Sequence, residues 1–473
     1  MFPRSGIPPY FCNRNPAGFT RPNMKTMNIP DWTRLDNAAI IYPSCRTRKY
    51  AAMFRMSVTL DEDIRPDTLS AALQAMLRRF PSFRFTVQKG LFWWYLRRLE
   101  NAPQPLPAIP LQPLDTARDG GYLFRIGYEG ARIDLDVFHA LTDGTGAMTF
   151  LLSLSAEYLR RCHGVAIPCG KWILDPAGDP TPEEWEDGFD HFSGRKGALD
   201  KERAAWHVPG TEEAPGVLHD LRAGIPLEGL QEQACVHDCT VTEYLSAVLL
   251  DALQELRARS GPRPRPFLRI ELPVNLRPVF GRHTLRNFSS YVYLGLDMRN
   301  GAIPFADALR DVKFQKRLYT QPQRLVTRIA ANVALEDNLA IRCIPVFVKR
   351  PVINFINWLK GDNYATYTFS NIGNIELPPE MAAHVRDLDF VLGRSRRRSG
   401  SCSCVSWNGK LNLHFTRKIR EEEFEQLVLR RLSNAGLCAG ISERTHVAAP
   451  GVAPVAPAMR PARSRRLSAF FCL

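Results

Sequence analysis

The sequence predicts a mixed α/β protein built from two lobes of similar size. Segments that alternate apolar and polar residues, as half-buried strands do, are interspersed with segments that carry apolar residues at helical spacing. Both kinds of segment occur in each half of the 473-residue chain, and residues 165–215, which are rich in Pro, Gly, Asp and Glu, separate the halves. A linker of this length and composition indicates a domain boundary.

In the first half, strands and helices follow one another closely. Residues 49–60 alternate like a strand, and the next segment predicts an amphipathic helix that is capped by Asp67 or Thr68. Two hairpins are then predicted, with turns at residues 89–90 and 129–130. A strand and a second long helix complete this half.

In the second half, Thr240 and Glu243 have the spacing of a capping box in front of a strongly amphipathic helix. Several strand-like segments follow, and the Asn-Gly pair at residues 408–409 predicts a tight hairpin turn. A final helix is predicted over residues 420–432.

Both ends of the chain lack this periodicity and are predicted to be disordered. The expected organisation is a disordered basic N-terminal extension over residues 1–26, a first lobe over 27–200, a second lobe over 201–442 and a disordered Ala/Pro/Arg tail over 443–473.

The formal net charge of +14 is concentrated in these ends. Residues 1–26 contain four basic residues and residues 444–473 contain five, and neither segment contains an acidic residue. The body of the protein is therefore only mildly basic, which argues against a nucleic-acid partner. One internal cluster leaves two interpretations open, a solvated loop or a docking site for the phosphates of an anionic cosubstrate: Arg394, Arg396, Arg397 and Arg398.

Cysteine spacing and hydropathy limit the remaining classes. The eleven cysteines show no zinc-ligand spacing, so no metal site is expected, and their odd number without a signal peptide favours a cytoplasmic protein with reduced thiols. No apolar run reaches the roughly 18 residues of a transmembrane helix. The most apolar zone, residues 344–359, is interrupted by Lys349, Arg350 and Pro351, which favours a surface or packing helix and leaves interfacial membrane contact as an alternative.

The stretch DVFHALTDGTGAM, residues 136–148, is the strongest chemical signal in the sequence. It places His139 at the end of a strand, and Asp143 and Gly144 at the start of a helix. A histidine that a tight turn holds at this point suits a general base, because its imidazole titrates near neutral pH and its position is fixed. The alternative is a structural histidine next to a helix-capping aspartate.

This stretch resembles the H-H-x3-D-G motif of the acyltransferase superfamily that includes chloramphenicol acetyltransferase, peptide-synthetase condensation domains, plant BAHD acyltransferases and alcohol acetyltransferases. Four later segments resemble parts of the same family in the same order, and the resemblance covers about residues 27–435. The segments are TVTEYLSAVLLDAL (240–253), ELPVNLRPVFGRHTLRNFSSYVYL (271–294), TFSNIGNIELP (368–378) and the terminal hairpin and helix. Bacterial alcohol-acetyltransferase-like members are the most similar in pattern.

The resemblance implies two chloramphenicol-acetyltransferase-like lobes, each a mixed sheet flanked by helices, with a central channel between them. It implies that His139 is the general base, that Asp143 is mainly architectural and pairs with Arg277, and that Gly144 keeps the channel wall free of a side chain.

Three further residues match positions of the family and are candidate substrate-binding residues. Ser370 and Asn371 are candidate donors to an oxyanion, although Ser-Asn-x-Gly is also ordinary turn chemistry. Asn275, like Arg277, either binds substrate or has a structural role in the second lobe.

Two departures from the family pattern stand out. Phe138 replaces the first histidine of the motif, which leaves open whether the motif is active, and the DFGWG segment of the plant enzymes is absent.

The expected function is transfer of an acyl group, with acetyl favoured, from acyl-CoA to a small alcohol or amine, with acyl-CoA as a cosubstrate and no bound cofactor. Direct transfer is favoured because no serine or cysteine lies in a G-x-S-x-G context. A stand-alone condensation-type enzyme that uses a carrier-protein thioester and a non-catalytic binding relative are the alternatives.

Overall fold

The computed structural model describes residues 30–46, 50–115, 118–198, 202–261, 264–356, 363–437 and 440–447. The extension expected at residues 1–26 and the tail beyond residue 447 lie outside this part of the chain. Within it, helices and strands alternate in both halves, and the predicted mixed α/β class is confirmed.

The strands are β1 (Trp32–Arg34), β2 (Met53–Leu60), β3 (Phe85–Lys89), β4 (Trp94–Arg98), β5 (Leu106–Pro107), β6 (Phe124–Glu129), β7 (Arg132–Phe138), β8 (Val217–Pro226), β9 (Phe267–Asn275), β10 (Ser289–Asp297), β11 (Tyr367–Asn374), β12 (Val385–Leu392), β13 (Gly400–Trp407), β14 (Lys410–Arg417) and β15 (Gly440–Val447). The helices are α1 (Ile41–Cys45), α2 (Pro66–Arg79), α3 (Gly144–His163), α4 (Pro182–Trp185), α5 (Leu227–Val236), α6 (Val241–Ala258), α7 (Arg277–Phe280), α8 (Phe305–Tyr319), α9 (Pro322–Asp337), α10 (Leu339–Arg342), α11 (Val346–Ile356), α12 (Pro379–Ala382) and α13 (Glu423–Asn434).

A five-stranded sheet in the order β12-β2-β7-β6-β5 forms the centre of the first lobe. Helices α2 and α3 pack against each other, and α3 also packs on β2 and β7. Buried aromatic rings fill the space beneath them, with Phe83 stacked on Phe150 at a centroid distance of 4.0 Å. Strands β1, β4 and β3 form a separate small sheet.

The second lobe is built on a seven-stranded sheet in the order β10-β9-β11-β13-β14-β8-β15. Helices α6, α8 and α13 cover it, and α6 is buried along most of its length. Strands β9 and β11 pair in parallel only at Tyr367 with Ile270 and at Thr368 with Glu271. Beyond these pairs the two strands separate, so their carboxyl-terminal ends frame an opening in the sheet.

Local chemistry accounts for several of the predicted boundaries. Thr240 Oγ1 accepts from the Glu243 amide and Glu243 Oε2 accepts from the Thr240 amide, which completes the predicted capping box of α6. Asn408 and Gly409 both have positive φ, at 47° and 75°, and so form the tight turn between β13 and β14.

The start of α2 differs from the sequence prediction. The helix begins at Pro66 and follows Arg65, so neither Asp67 nor Thr68 is its N-cap. Proline suits the first helical position because its φ is already helical and its missing N–H would have no partner there.

Two segments cross the boundaries that the sequence suggests. Strand β12 belongs to the second half of the chain but pairs antiparallel with β2 in the first sheet. Residues 443–447, assigned to the disordered tail, instead form most of β15, which pairs along its own whole length with residues 217–224 of β8. β15 is largely exposed and lacks an apolar pattern. Its backbone ladder with β8 holds it in the sheet, together with side-chain contacts such as the ion pair of Glu443 with Arg417 at 2.7 Å and the hydrogen bond from the Leu111 amide to His446 Nδ1.

The linker between the halves is also partly structured. It contains α4 and a 3-10 helix, Gly188–Phe192, whose aromatic residues are buried. The rings of Phe189 and Phe192 lie 5.2 and 6.5 Å from that of Phe288 in the second lobe. The linker therefore packs on the segment that leads into β10.

Candidate active site

His139 lies immediately after β7, at the edge of the first sheet. Its backbone amide donates to the carbonyl of Ala52 at 2.8 Å, which continues the pairing of β7 with β2 by one residue. The preceding residue, Phe138, is buried and belongs to the core of the first lobe. Phe138 thus has a packing role at the place where the family pattern has a histidine.

The imidazole of His139 is held by aromatic rings and one hydrogen bond. It stacks on Tyr42 at 4.6 Å between centroids and meets the edge of Phe54 at 5.2 Å. Its Nδ1 lies 3.1 Å from Asn287 Oδ1, while Asn287 Nδ2 donates to Asp36 Oδ2 at 3.3 Å. Because the amide donates to Asp36, its oxygen accepts from Nδ1–H, and the lone pair of His139 is left on Nε2.

Burial lowers the pKa of His139 below its ordinary value of 6.5, and this effect outweighs the hydrogen bond to Asn287 and the charge of Asp143. The imidazole is therefore mostly neutral at pH 7. A neutral imidazole with a fixed tautomer can accept a proton at Nε2.

Behind Asn287, Asp36 is fully buried. It accepts from the Ala39 amide at 2.7 Å, and Arg286 Nε lies 3.5 Å from its Oδ2. Burial raises the pKa of Asp36 to about 7 in spite of the guanidinium of Arg286. A hydrogen-bonded chain thus leads from the imidazole to a carboxyl that titrates near neutral pH.

Asp143 makes three hydrogen bonds, none of which is to His139. Its Oδ1 accepts from the Gly146 amide and caps α3, and its Oδ2 accepts from Arg277 Nη1 at 2.8 Å and from the Phe288 amide at 2.9 Å. Burial alone would raise the pKa of Asp143, but Arg277 and these amides hold it below 3.8. Asp143 is therefore a charged link between the lobes.

Asn275 and Arg277 form a unit at the end of β9. Asn275 Oδ1 accepts from both the backbone amide and Nη1 of Arg277, at 3.1 and 3.2 Å. Arg277 also donates to the carbonyls of Thr284 and Arg286, at 2.6 Å each. Four of the five N–H donors of the guanidinium are thus used within the protein, and in this arrangement Asn275 and Arg277 orient Asp143.

Gly144 lies against the end of β11. A Cβ at Gly144 would come within 2.6 Å of Ile372 Cδ1, so a larger residue here would require the Ile372 side chain to move. With Arg277 after β9 and Ile372 on β11, the start of α3 faces the opening between these two strands.

Ser370 and Asn371 lie just before Ile372 on β11. Asn371 Nδ2 donates to Thr242 Oγ1 at 3.1 Å, and its Oδ1 accepts from the Gly373 amide at 2.7 Å, so its side chain stabilises the irregular end of β11 and connects β11 to α6. Ser370 is half-buried. Among the described residues, no hydrogen bond joins Ser370 or Asn371 to His139.

The sequence reasoning missed two members of this site, Asp36 and Tyr42. Asn287 stood in a segment that resembles the family, but its contact with His139 spans 148 positions in the chain. No periodicity or motif surrounds Asp36 or Tyr42, so only the folded chain reveals their roles.

The arginine cluster at residues 394–398 is anchored within the second lobe. Arg394 donates to two carbonyls, those of Ala214 and Val217, and Arg396 donates to Asn354 Oδ1 at 3.0 Å. Arg398 forms an ion pair with Glu271 at 2.8 Å, where β9 and β11 separate. Arg398 therefore lies at the rim of the opening in the sheet.

Two further findings concern the described residues alone. They contain no cluster of three or more His, Cys, Asp or Glu side chains that could hold a metal ion. None of their helices combines the length and the apolar character that crossing a bilayer requires.

No protein-family model matches the sequence, and the search of curated proteins finds no match. Solved structures do match the fold. Polyketide synthase associated protein 5 from Mycobacterium tuberculosis is 15% identical with a TM-score of 0.56, and the match covers 84% of this chain and 96% of that chain.

Two further solved structures match over similar lengths. TRI101 of F. sporotrichioides, solved with coenzyme A and T-2, is 12% identical with a TM-score of 0.56, over 87% of this chain and 99% of that chain. The first condensation domain of the CDA synthetase is 15% identical with a TM-score of 0.52, over 85% and 95%. The chain therefore has the two-lobed fold that is shared by chloramphenicol-acetyltransferase-like acyltransferases and condensation domains.

Proposed function

We propose that the protein is an acyltransferase that moves an acyl group, with acetyl favoured, from acyl-CoA to an alcohol, with His139 as the general base. The observation that carries this proposal is the position of the imidazole, which lies at the end of β7 against Tyr42 with Nδ1 3.1 Å from Asn287 Oδ1. Burial keeps its pKa below 6.5, and with Nδ1–H donating to Asn287 the lone pair of Nε2 can act as a base.

In the proposed reaction, His139 Nε2 takes the hydroxyl proton of the acceptor as the acceptor oxygen attacks the thioester carbonyl. A C–O bond forms and the carbonyl oxygen becomes an oxyanion. When this intermediate collapses, the C–S bond breaks, and the CoA sulfur receives the proton from the imidazolium. The products are an ester and free CoA, and no acyl-enzyme forms.

The oxyanion needs hydrogen-bond donors. Ser370 remains the better of the two sequence candidates, because both ends of the Asn371 amide already have partners. Arg398, at the rim of the opening, is the member of the arginine cluster that we expect to lie nearest to an anionic donor.

The test is acceptor-dependent release of thiol from acetyl-CoA and longer acyl-CoAs, with a panel of small alcohols and amines. We expect turnover by the wild-type protein and a loss of about 100-fold or more in kcat/KM for His139→Ala, as for removal of a general base. His191→Ala is the matched control, since His191 is a partly exposed histidine that pairs with Glu186.

Three other results would each contradict part of the proposal. Equal thiol release by the wild-type protein and His139→Ala would contradict the role of His139. Turnover with a carrier-protein thioester but not with acyl-CoA would identify a condensation-type enzyme. Binding of CoA that survives His139→Ala, with no turnover by either protein, would identify a non-catalytic relative.

A further inference from the structure

Large apolar side chains are exposed on one face of the protein, formed by the β3–β4 turn, the start of β1 and helix α11. We call it the apolar face. Its exposed members are Trp32, Leu91, Phe92, Phe347, Val348 and Val352. Side chains of this size are usually buried, and a group of them on one face marks an interaction site.

These residues form one continuous surface, because α11 packs directly on the β3–β4 turn. The Val346 amide donates to the carbonyl of Leu91 at 2.8 Å. Lys349 Nζ donates to the carbonyl of Phe92 at 3.0 Å and lies 3.4 Å from the centre of the Trp93 ring. Lys349 thus fixes α11 so that its apolar residues face outward.

Basic residues predominate in the two segments that carry most of the apolar face. Residues 85–99 contain Lys89, Arg97 and Arg98, and residues 339–356 contain Arg342, Lys349 and Arg350, with no acidic residue in either segment.

Of the nearby acidic residues, Glu336 accepts from Asn37 and Asp337 accepts from Ser193. Asp31 adjoins β1, and its carbonyl accepts from the Arg98 amide.

A cavity of about 600 Å³ opens beside this surface. The β3–β4 turn and the strands next to it provide most of its walls, which include Trp32, Phe92, Trp94 and Tyr95. Its volume and aromatic walls can take a hydrocarbon chain, and Arg34, Arg342 and Glu336 in the same walls would face a polar group at the end of that chain.

We propose that the apolar face docks on an anionic lipid surface. Phe347, Val348 and Val352 enter the boundary between headgroups and acyl chains, and Arg350 meets the lipid phosphates. A helix with an apolar face and basic flanks is the pattern of interfacial binding, and each cation near an anionic surface strengthens it. This inference does not depend on the proposed acyl transfer.

The experiment is flotation of the full-length protein with phosphatidylcholine vesicles that contain or lack phosphatidylglycerol, in the absence of any acyl donor. We expect binding to the anionic vesicles. The double variant Phe347→Ser/Val352→Ser should weaken it by about tenfold or more, since it removes two large apolar contacts. Arg350→Glu should weaken it by about fivefold or more, because it replaces an attracted charge with a repelled one.

Phe314→Ser is the matched control. Phe314 lies on α8, outside the apolar face, and is 65% exposed, as is Phe347. We expect it to bind vesicles as the wild type does, and all variants to keep the wild-type melting temperature, because the altered side chains are exposed. The basic ends of the chain are present in every variant, so whatever they contribute to vesicle binding is the same in each protein that is compared.

Three results would overturn the proposal. The wild-type protein could fail to bind anionic vesicles, or the double variant could bind them as tightly as the wild type. The third is self-association or capture of an acidic protein that the double variant abolishes while vesicle binding is unchanged, which would make the apolar face a protein interface.

Discussion

The protonation state of His139 depends on neighbours that lie far away in the sequence. The rings of Tyr42 and Phe54 cover part of the imidazole, and Asn287 Oδ1 accepts a hydrogen bond from Nδ1–H. The rotation of the Asn287 amide is in turn set by Asp36. Asn287 is therefore a positioning residue, and its effect should be visible in the pH profile of the proposed reaction.

A negative charge at position 287 should raise the pKa of His139. In the wild-type protein that pKa is below 6.5, so the rate should rise with pH along a limb whose midpoint is below 6.5. Asn287→Asp places a carboxylate near Nδ1 and should move this midpoint up by about 1 pH unit or more. The measurement is kcat/KM against pH for both proteins.

Asn287→Ala is the comparison variant. This variant removes a hydrogen bond that favours the charged form of His139. It should therefore lower kcat/KM without moving the midpoint of the pH profile upward. If Asn287→Asp and the wild type have the same midpoint, then Asn287 does not act on the state of His139.

At the scale of helices and strands, the sequence predicts what local chemistry determines. The capping box at Thr240 and the Asn-Gly turn at residues 408–409 each involve residues within three positions of one another, and both are confirmed. Strand β12 could not be assigned to its sheet in this way, because its pairing with β2 joins residues more than 300 positions apart.

The same distinction holds within the candidate site. The motif stretch itself predicts His139 at the end of a strand and Asp143 at the start of a helix. No local pattern marks Asp36. It contacts Asn287 across 251 positions of the chain, and its place in the site depends on distant segments that bury it. Burial by distant segments is a property of the whole fold, which a single sequence does not express in any local pattern.

The contact of Gly144 with Ile372 leads to a prediction for α3 and β11. Gly144→Ala places a methyl group 2.6 Å from Ile372 Cδ1 and should lower the free energy of unfolding by about 1–3 kcal/mol. Ile372→Val removes that Cδ1 atom, so it should relieve the clash in the double variant. A double-mutant cycle by urea denaturation should show a coupling of at least about 0.5 kcal/mol.

Gly146→Ala provides the contrast in the same helix. Its Cβ would lie 2.3 Å from the carbonyl oxygen of Leu285, a backbone atom that cannot move aside alone. Ile372→Val should therefore give no relief to Gly146→Ala. Strict additivity of Gly144→Ala and Ile372→Val would mean that α3 and β11 are not in contact.

Across the whole molecule, buried charges join the two sheets. His414 on β14 lies between Asp220 on β8 and Asp389 on β12, with Nδ1 and Nε2 each 2.9 Å from a carboxylate oxygen. Arg222 on β8 also donates to Asp389 at 2.7 Å. Because β12 belongs to the first sheet and β8 and β14 to the second, this cluster connects the two sheets, as the pair of Asp143 with Arg277 connects the two lobes.

This cluster should make the stability of the protein depend on pH in the alkaline range. Burial would lower the pKa of His414, but Asp220 and Asp389 raise it to about 10, above the unfolded value of 6.5. The stabilisation is therefore complete below about pH 6.5 and is lost as the pH rises through about 10.

His414→Gln leaves the two carboxylates without this cation. At pH 6 the variant should therefore lose about 3–5 kcal/mol of unfolding free energy, and its stability should depend less on pH than that of the wild type. Urea denaturation at pH 6, 8 and 10 measures both effects, and His191→Gln is the exposed control. An equally steep pH dependence in His414→Gln would show that other groups control the alkaline loss of stability.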